Sequence, residues 1–144
     1  MRAGEMTAPA PRVGVGVLVV DEAGRALMSR RRRPPEAGAW SILGGRLELF
    51  ERVEDCATRE VREEAGIEVR IERLLCVTDH MVDDREHWVA PAYLARIVAG
   101  VPRNVEPQSA DDVRWFSLTD LPEPLAIPAR AAIDAYLRSL PAQW

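Results

Sequence analysis

The sequence predicts an α/β fold, a sandwich built on a mixed β-sheet, and three observations carry that expectation. Residues 52–65 show a helical apolar period, segments of strand character lie on both sides of them, and a second helical stretch, 129–140, closes the chain. With 144 residues and 47% hydrophobic content, one compact unit with a real core is expected over 12–144, behind a flexible Pro/Ala tail at 1–11.

Residues 12–20 alternate Val and Gly and then turn fully apolar, which reads as a buried strand; Gly14 and Gly16 share a face and would admit a close neighbour. Asp21 to Gly24 form a turn, and 25–30 read as the returning strand of a hairpin. Residues 31–38, with Pro34 and Pro35, form a loop. A short strand at 40–43 runs into Gly44 and Gly45, where missing side chains let backbone carbonyls approach a ligand or metal. After the helix, 67–78 is a strand, 79–85 an acidic loop, 88–99 a strand, 101–111 a long loop and 113–116 a short strand. A Pro-rich connection leads to the last helix, whose buried face would be Ile133, Tyr136, Leu137 and Leu140.

Composition excludes several classes. The longest apolar run, 13–20, is far too short to span a bilayer, and residues 1–12 lack the apolar core of a signal peptide. The two cysteines, Cys56 and Cys76, fit reduced, buried thiols in a cytoplasmic protein. A net charge of −4 argues against a general DNA or RNA binder. The run Arg30 to Arg33 is the local exception, and it reads either as a solvated loop or as a grip on substrate phosphates.

The helix at 52–65 carries the chemistry. Glu60, Glu63 and Glu64 stand at i, i+3 and i+4, on one face, just before Gly66, the natural residue for a left-handed stop. Like charges at these spacings repel, and anions at a helix C-terminus oppose the macrodipole, each by roughly 0.3–1 kcal/mol. A divalent cation would offset that cost, because hard Mg²⁺ or Mn²⁺ takes carboxylate oxygens. Val53, Cys56 and Ala57 share the stripe of Glu60, so an apolar face turns acidic as if leaving a core to line a cavity. The plain alternative is a solvated surface helix laced by the pairs Asp55–Arg59 and Arg59–Glu63.

The wider spacing decides between them. Gly45, Glu51, Arg59, Glu60, Val61, Glu63, Glu64, Gly66 and Ile67 fit G-x5-E-x7-R-E-U-x-E-E-x-G-U, with U a bulky apolar residue. This resembles the Nudix box at every fixed position, a coincidence with chance odds on the order of one in ten million. The order of elements over about 12–140 also resembles the Nudix fold, an α/β/α sandwich with a mixed sheet.

The resemblance implies hydrolysis of a nucleoside diphosphate linked to another moiety, with divalent metal and water attack at phosphorus. Glu60 and Glu64 would be the principal metal ligands, Glu63 a further ligand or the base, and a carbonyl of Gly44 or Gly45 part of the shell. Glu51 would pair with Arg59 and hold the loop to the helix, and Glu48 matches a frequent acidic position. Some relatives draw one more carboxylate from a later loop, for which Glu106, Asp111 and Asp112 are candidates, with Asp83 and Asp84 behind them. Arg31 and Arg46 would meet substrate, with Asp111. Trp88 is the favoured stacking platform for a base, ahead of Trp40, Trp115 and Phe116; His80 and His87 are further candidates. Homodimers are common among similar proteins.

The whole chain looks most like small MutT-like nucleoside-triphosphate pyrophosphatases, which release a nucleoside monophosphate and pyrophosphate. The likeness rests on Gly44 to Glu51, Cys56 to Glu60, Asn104 to Pro107, Arg114 to Leu118 and Leu121 to Leu125. The markers of ADP-ribose, dinucleoside-polyphosphate, NADH and coenzyme A hydrolases are absent. Leu43, Arg46, Phe50 and the Gln108-Ser109 pair depart from the MutT-like pattern. The same chemistry on an NDP-sugar or ADP-ribose, and a nucleotide sensor without turnover, are the other readings.

Overall fold

The computed structural model describes residues 10–142, so most of the expected tail at 1–11 lies outside the described residues. The elements are β1 (Arg12–Val19), β2 (Arg25–Arg31), β3 (Trp40–Ser41), β4 (Leu43–Arg46), α1 (Val53–Ala65), β5 (Glu68–Val82), β6 (Glu86–Ala99), β7 (Ala110–Ser117) and α2 (Ile127–Ser139). They form a four-stranded sheet, β4-β1-β6-β5, and a three-stranded one, β3-β2-β7. The pairing of β1 with β6 is parallel and its pairing with β4 antiparallel, so the first sheet is mixed as expected.

Strand β1 is apolar on both faces because both are buried. Val15, Val17 and Val19 pack with Cys56, Ala57, Val61 and Ala65 of α1, while Leu18 and Val20 pack with Ala129, Ile133 and Tyr136 of α2. Each fully buried Val, Leu or Ile here contributes roughly 1.5–3 kcal/mol. Gly16 lets Ile42 approach, since a Cβ there would stand 2.7 Å from its Cδ1.

Several expected elements come out differently. Strand β2 turns back from β1 but does not pair with it beyond a single bridge, Val20 to Ala26. It pairs instead with β7, from Arg25 opposite Ser117 to Arg31 opposite Ala110. A strand buried on both faces offers no alternation to say which neighbour it takes. The strand expected at 40–43 divides at Ile42, so that β3 joins one sheet and β4 the other, which puts Gly44 and Gly45 inside a strand. The expected acidic loop is mostly strand: β5 runs on to Val82, and only a tight turn separates it from β6. Register shifts near Val69, Arg73 and Cys76 break its two-residue period, which hides its length. On α2 the buried face is Ala129, Ala132, Ile133 and Tyr136, while Leu137 and Leu140 are each 43% exposed. Both cysteines are free, Cys56 buried and Cys76 only partly so. No described helix is long and apolar enough to cross a membrane.

Candidate active site

Helix α1 ends where the sequence marks its end. Gly66 sits at φ 68°, ψ 28°, and its N–H donates to Arg62 O at 3.0 Å. The carbonyls beyond that are taken by the loop after β6: Arg103 N–H donates to Ala65 O at 3.0 Å and Val105 N–H to Glu64 O at 3.2 Å. That clip brings Asn104 and Glu106 beside Glu60 and Glu64, and the four line one cavity of about 540 Å³. Asn104 Nδ2 donates to Ala110 O at 2.9 Å, while its Oδ1 is buried without a partner among the described residues.

The three helix carboxylates have separate environments. Glu64 is partly buried, and its Oε1 accepts the Gly44 N–H at 2.8 Å. Burial pushes its carboxyl well above the usual range, and Glu60 and Glu106 push it further, against the Gly44 bond and Arg31. Burial also raises Glu60, opposed by Arg59. Its carboxylate occupies the space that a Cβ on Gly45 would fill. Glu63 is exposed on the outer side and is held by Arg59 Nη1 at 3.1 Å.

Arg59 organises this end. Its Nε and Nη2 grip Glu51 at 2.6 and 2.9 Å, its Nη1 also donates to Glu60 Oε1 at 2.9 Å, and its Nη2 reaches the Arg46 carbonyl at 3.3 Å. This guanidinium holds Glu51 down to about 2. Of the two ion pairs in the surface-helix alternative, Arg59–Glu63 is present, while Glu51 occupies the Arg59 fork where Asp55 was expected. Burial beside Glu51 pushes the Cys56 thiol up to about 12, and this thiol faces the Gly45 carbonyl at 3.9 Å.

The arginine run divides by alternation along the chain. Arg31 and Arg33 line the acidic cavity, as does Arg46. Arg30 Nε turns to Gly38 O at 3.2 Å, and Arg32 Nε bonds Asp111 at 2.8 Å. Asp111, expected to meet substrate, therefore lies in an exposed pair and does not line the cavity. Asp112 pairs with Arg114, and Asp83 with Arg85 on the β5–β6 turn. Of the later acids only Glu106 joins the helix glutamates.

A second recess of about 230 Å³ opens from the first past Arg31, Ile42, Gly44, Gly45 and Arg46. Its walls are largely apolar: Gly14, Gly16, Ile42, Trp88, Ala90 and Ala92. Trp88 lies against Gly14, where a Cβ would be 3.3 Å from its ring. Trp40 instead packs edge-on to Phe116 at 4.7 Å, and Trp115 carries the Arg25 guanidinium 5.5 Å over its ring. At the far end stand His80, 8% exposed, and Glu36. His87 instead bonds Asp79 on the surface at 2.7 Å. Nothing in the sequence singled out Glu36, which reaches the recess because the loop after β2 turns through a positive φ of 57° at that residue.

The geometry agrees with the comparisons. The model of the NUDIX domain family matches residues 10–136. A solved MutT NUDIX hydrolase from Burkholderia pseudomallei is 46% identical, with a TM-score of 0.80, over 88% of this chain and 98% of that one. The NAD-capped RNA hydrolase NudC of Stutzerimonas stutzeri is 33% identical over 90% of this chain, which spans only 45% of that relative's length. An ADP-ribose pyrophosphatase of Methanocaldococcus jannaschii is 27% identical over 83% of this chain and 70% of its own. The family match spans both α1 and the strands that hold the cleft against it, and the chain belongs to the Nudix hydrolases.

Proposed function

We propose that this hydrolase is a Mg²⁺- or Mn²⁺-dependent pyrophosphohydrolase that uses water to convert a nucleoside triphosphate to its monophosphate and pyrophosphate. The observation that carries the reading is the division of the cleft. One end holds half-buried carboxylates, with three guanidinium groups lining the same cavity, and the other is an apolar recess beside Trp88. A nucleotide is divided the same way, into a polyanion and a flat base.

The acidic end fits a cation. Glu64 is half-buried, has a raised carboxyl and forms no ion pair among the described residues. Glu60 shares its one guanidinium with Glu51 and Glu63. Hard Mg²⁺ or Mn²⁺ takes carboxylate oxygens, the donors that Glu60 and Glu64 offer here. When bound, the metal supplies charge neutralisation, a lowered pKa for water and a template for in-line attack. Glu60 and Glu64 hold it, with a carbonyl of Gly44 or Gly45 as an added oxygen. Glu63, at the rim, is a further ligand or the base. Arg31, Arg33 and Arg46 pair with phosphoryl oxygens, and Trp88 stacks on the base.

The test is a panel of nucleoside triphosphates, ADP-ribose and NDP-sugars with Mg²⁺ and then Mn²⁺, with products resolved by ion exchange. Monophosphate and pyrophosphate from a triphosphate support the assignment, whereas diphosphate and phosphate refute the bond cleaved. The same chemistry on an NDP-sugar or ADP-ribose is the second reading, and the name of the ADP-ribose pyrophosphatase relative favours the latter. Cleavage confined to those substrates would select it. A homodimer in the reducing cytoplasm completes the proposal, with light scattering as the check on mass.

A further inference from the structure

The far end of the apolar recess is polar in a specific way. Both oxygens of Glu36 lie 3.2 Å from the N–H of Ile127, the first residue of α2, which is reached from 91 positions away in sequence. A carboxylate at a helix N-terminus is fixed in direction by the free amide and favoured by the dipole. His80, from β5, stands behind it with Nε2 at 3.6 Å from Glu36 Oε2. Three elements thus converge on one side chain in the wall of a recess that Gly14, Gly16, Ile42, Trp88, Ala90 and Ala92 also line, with Arg31 and Arg46 on the side shared with the acidic cavity.

An ionised carboxylate accepts hydrogen bonds and donates none. Each oxygen that takes the Ile127 amide keeps lone pairs to spare, and the Glu36 side chain is still 26% accessible, on the wall of the recess. A base seated against Trp88 would meet that acceptor with its outer edge. An exocyclic amino group satisfies it; a C–H in the same place leaves it unpaired, and a carbonyl oxygen there faces like charge. A base that covers this acceptor removes it from water, so a ligand that cannot donate to it is disfavoured.

We propose that Glu36, set by the first amide of α2 and backed by His80, is the specificity-determining residue that selects bases carrying an exocyclic amino group. This rests on the apolar recess being the base end of the cleft, as proposed above. The test measures kcat/KM in two pairs that differ at the amino group, GTP against ITP and CTP against UTP. Whichever pair is turned over faster should favour its amino member by roughly tenfold or more. In Glu36→Gln, whose amide can accept or donate, that ratio should fall to near one or invert. The ratio is internal to each protein, so a change in active fraction cancels, and thermal melting checks that α2 stays docked.

Equal rates within both pairs in the parent, or a preference unchanged in Glu36→Gln, would overturn the assignment. Turnover of no triphosphate at all, by a protein that cleaves ADP-ribose or NAD, would overturn the triphosphate reading. In that case ADP-ribose against its inosine analogue becomes the deciding pair for Glu36, with the same two outcomes.

Discussion

Two adjacent glycines in β4 do different things, and substitution should separate them. A Cβ on Gly44, at φ 150°, would collide with the Val15 carbonyl of the paired strand, which is backbone and cannot step aside. Gly44→Ala is therefore expected to cost about 2–4 kcal/mol of stability, read from urea unfolding. A Cβ on Gly45 has as its nearest neighbours the Glu60 carboxylate atoms, the flexible end of a side chain. Gly45→Ala should leave the melting temperature within a few degrees while weakening Mn²⁺ affinity by calorimetry. Glu64 gives the converse contrast. Its burial opposes folding of the metal-free protein, so Glu64→Gln should gain about 1–2 kcal/mol of stability while losing activity by 10³-fold or more. Glu63, exposed and held by Arg59, should lose less on the same change, about 10- to 100-fold. A loss at Glu63 equal to that at Glu64 would favour the base role for it over that of an added ligand.

The lock between α1 and the loop before it is an ion pair with a stated acid limit. Arg59 depresses Glu51 from 4.5 to about 2, so the pair's contribution is intact above about pH 4.5 and is lost as pH falls through 2. The stability of the parent should drop across that window more steeply than that of Glu51→Gln, followed by urea midpoints at fixed ionic strength. This element was the most legible in the sequence. Its period, its Gly66 stop and the Glu51–Arg59 spacing are all local patterns, and the helix begins and ends within a residue of expectation. Strand β5 was the least legible, because its register shifts scatter apolar residues between faces and its end, with Asp79 and His80, runs straight into the acidic turn at Asp83 and Asp84. Leu74, Val77 and Met81 are exposed along it for the same reason.

At the scale of the molecule, β1 separates two cores, one under α1 and one under α2. Ile67 belongs to the first and Ile133 to the second, each 1% exposed. Ile67→Val and Ile133→Val should each cost about 0.5–1.5 kcal/mol, and the double variant should equal their sum within about 0.5 kcal/mol. A larger coupling would mean that the sheets shift as one body. The division also explains what sequence could reach of the site. The acidic end lies on one helix and its neighbouring glycines, so spacing revealed Glu60, Glu64, Gly44 and Gly45. The recess is assembled from the loop after β2, β5, β6 and the start of α2, and no local pattern links Glu36 to His80 or Ile127.

The clip between the loop after β6 and the end of α1 uses main-chain atoms alone, the amides of Arg103 and Val105 on the carbonyls of Ala65 and Glu64. Such a joint is indifferent to which side chains the loop carries. Lineages could therefore rewrite much of residues 101–109, though not Asn104, whose side chain holds Ala110 O, and with them the neighbours that a bound phosphate chain would meet. The glutamates of the helix would be kept as a constant engine while an interchangeable collar is tried around it.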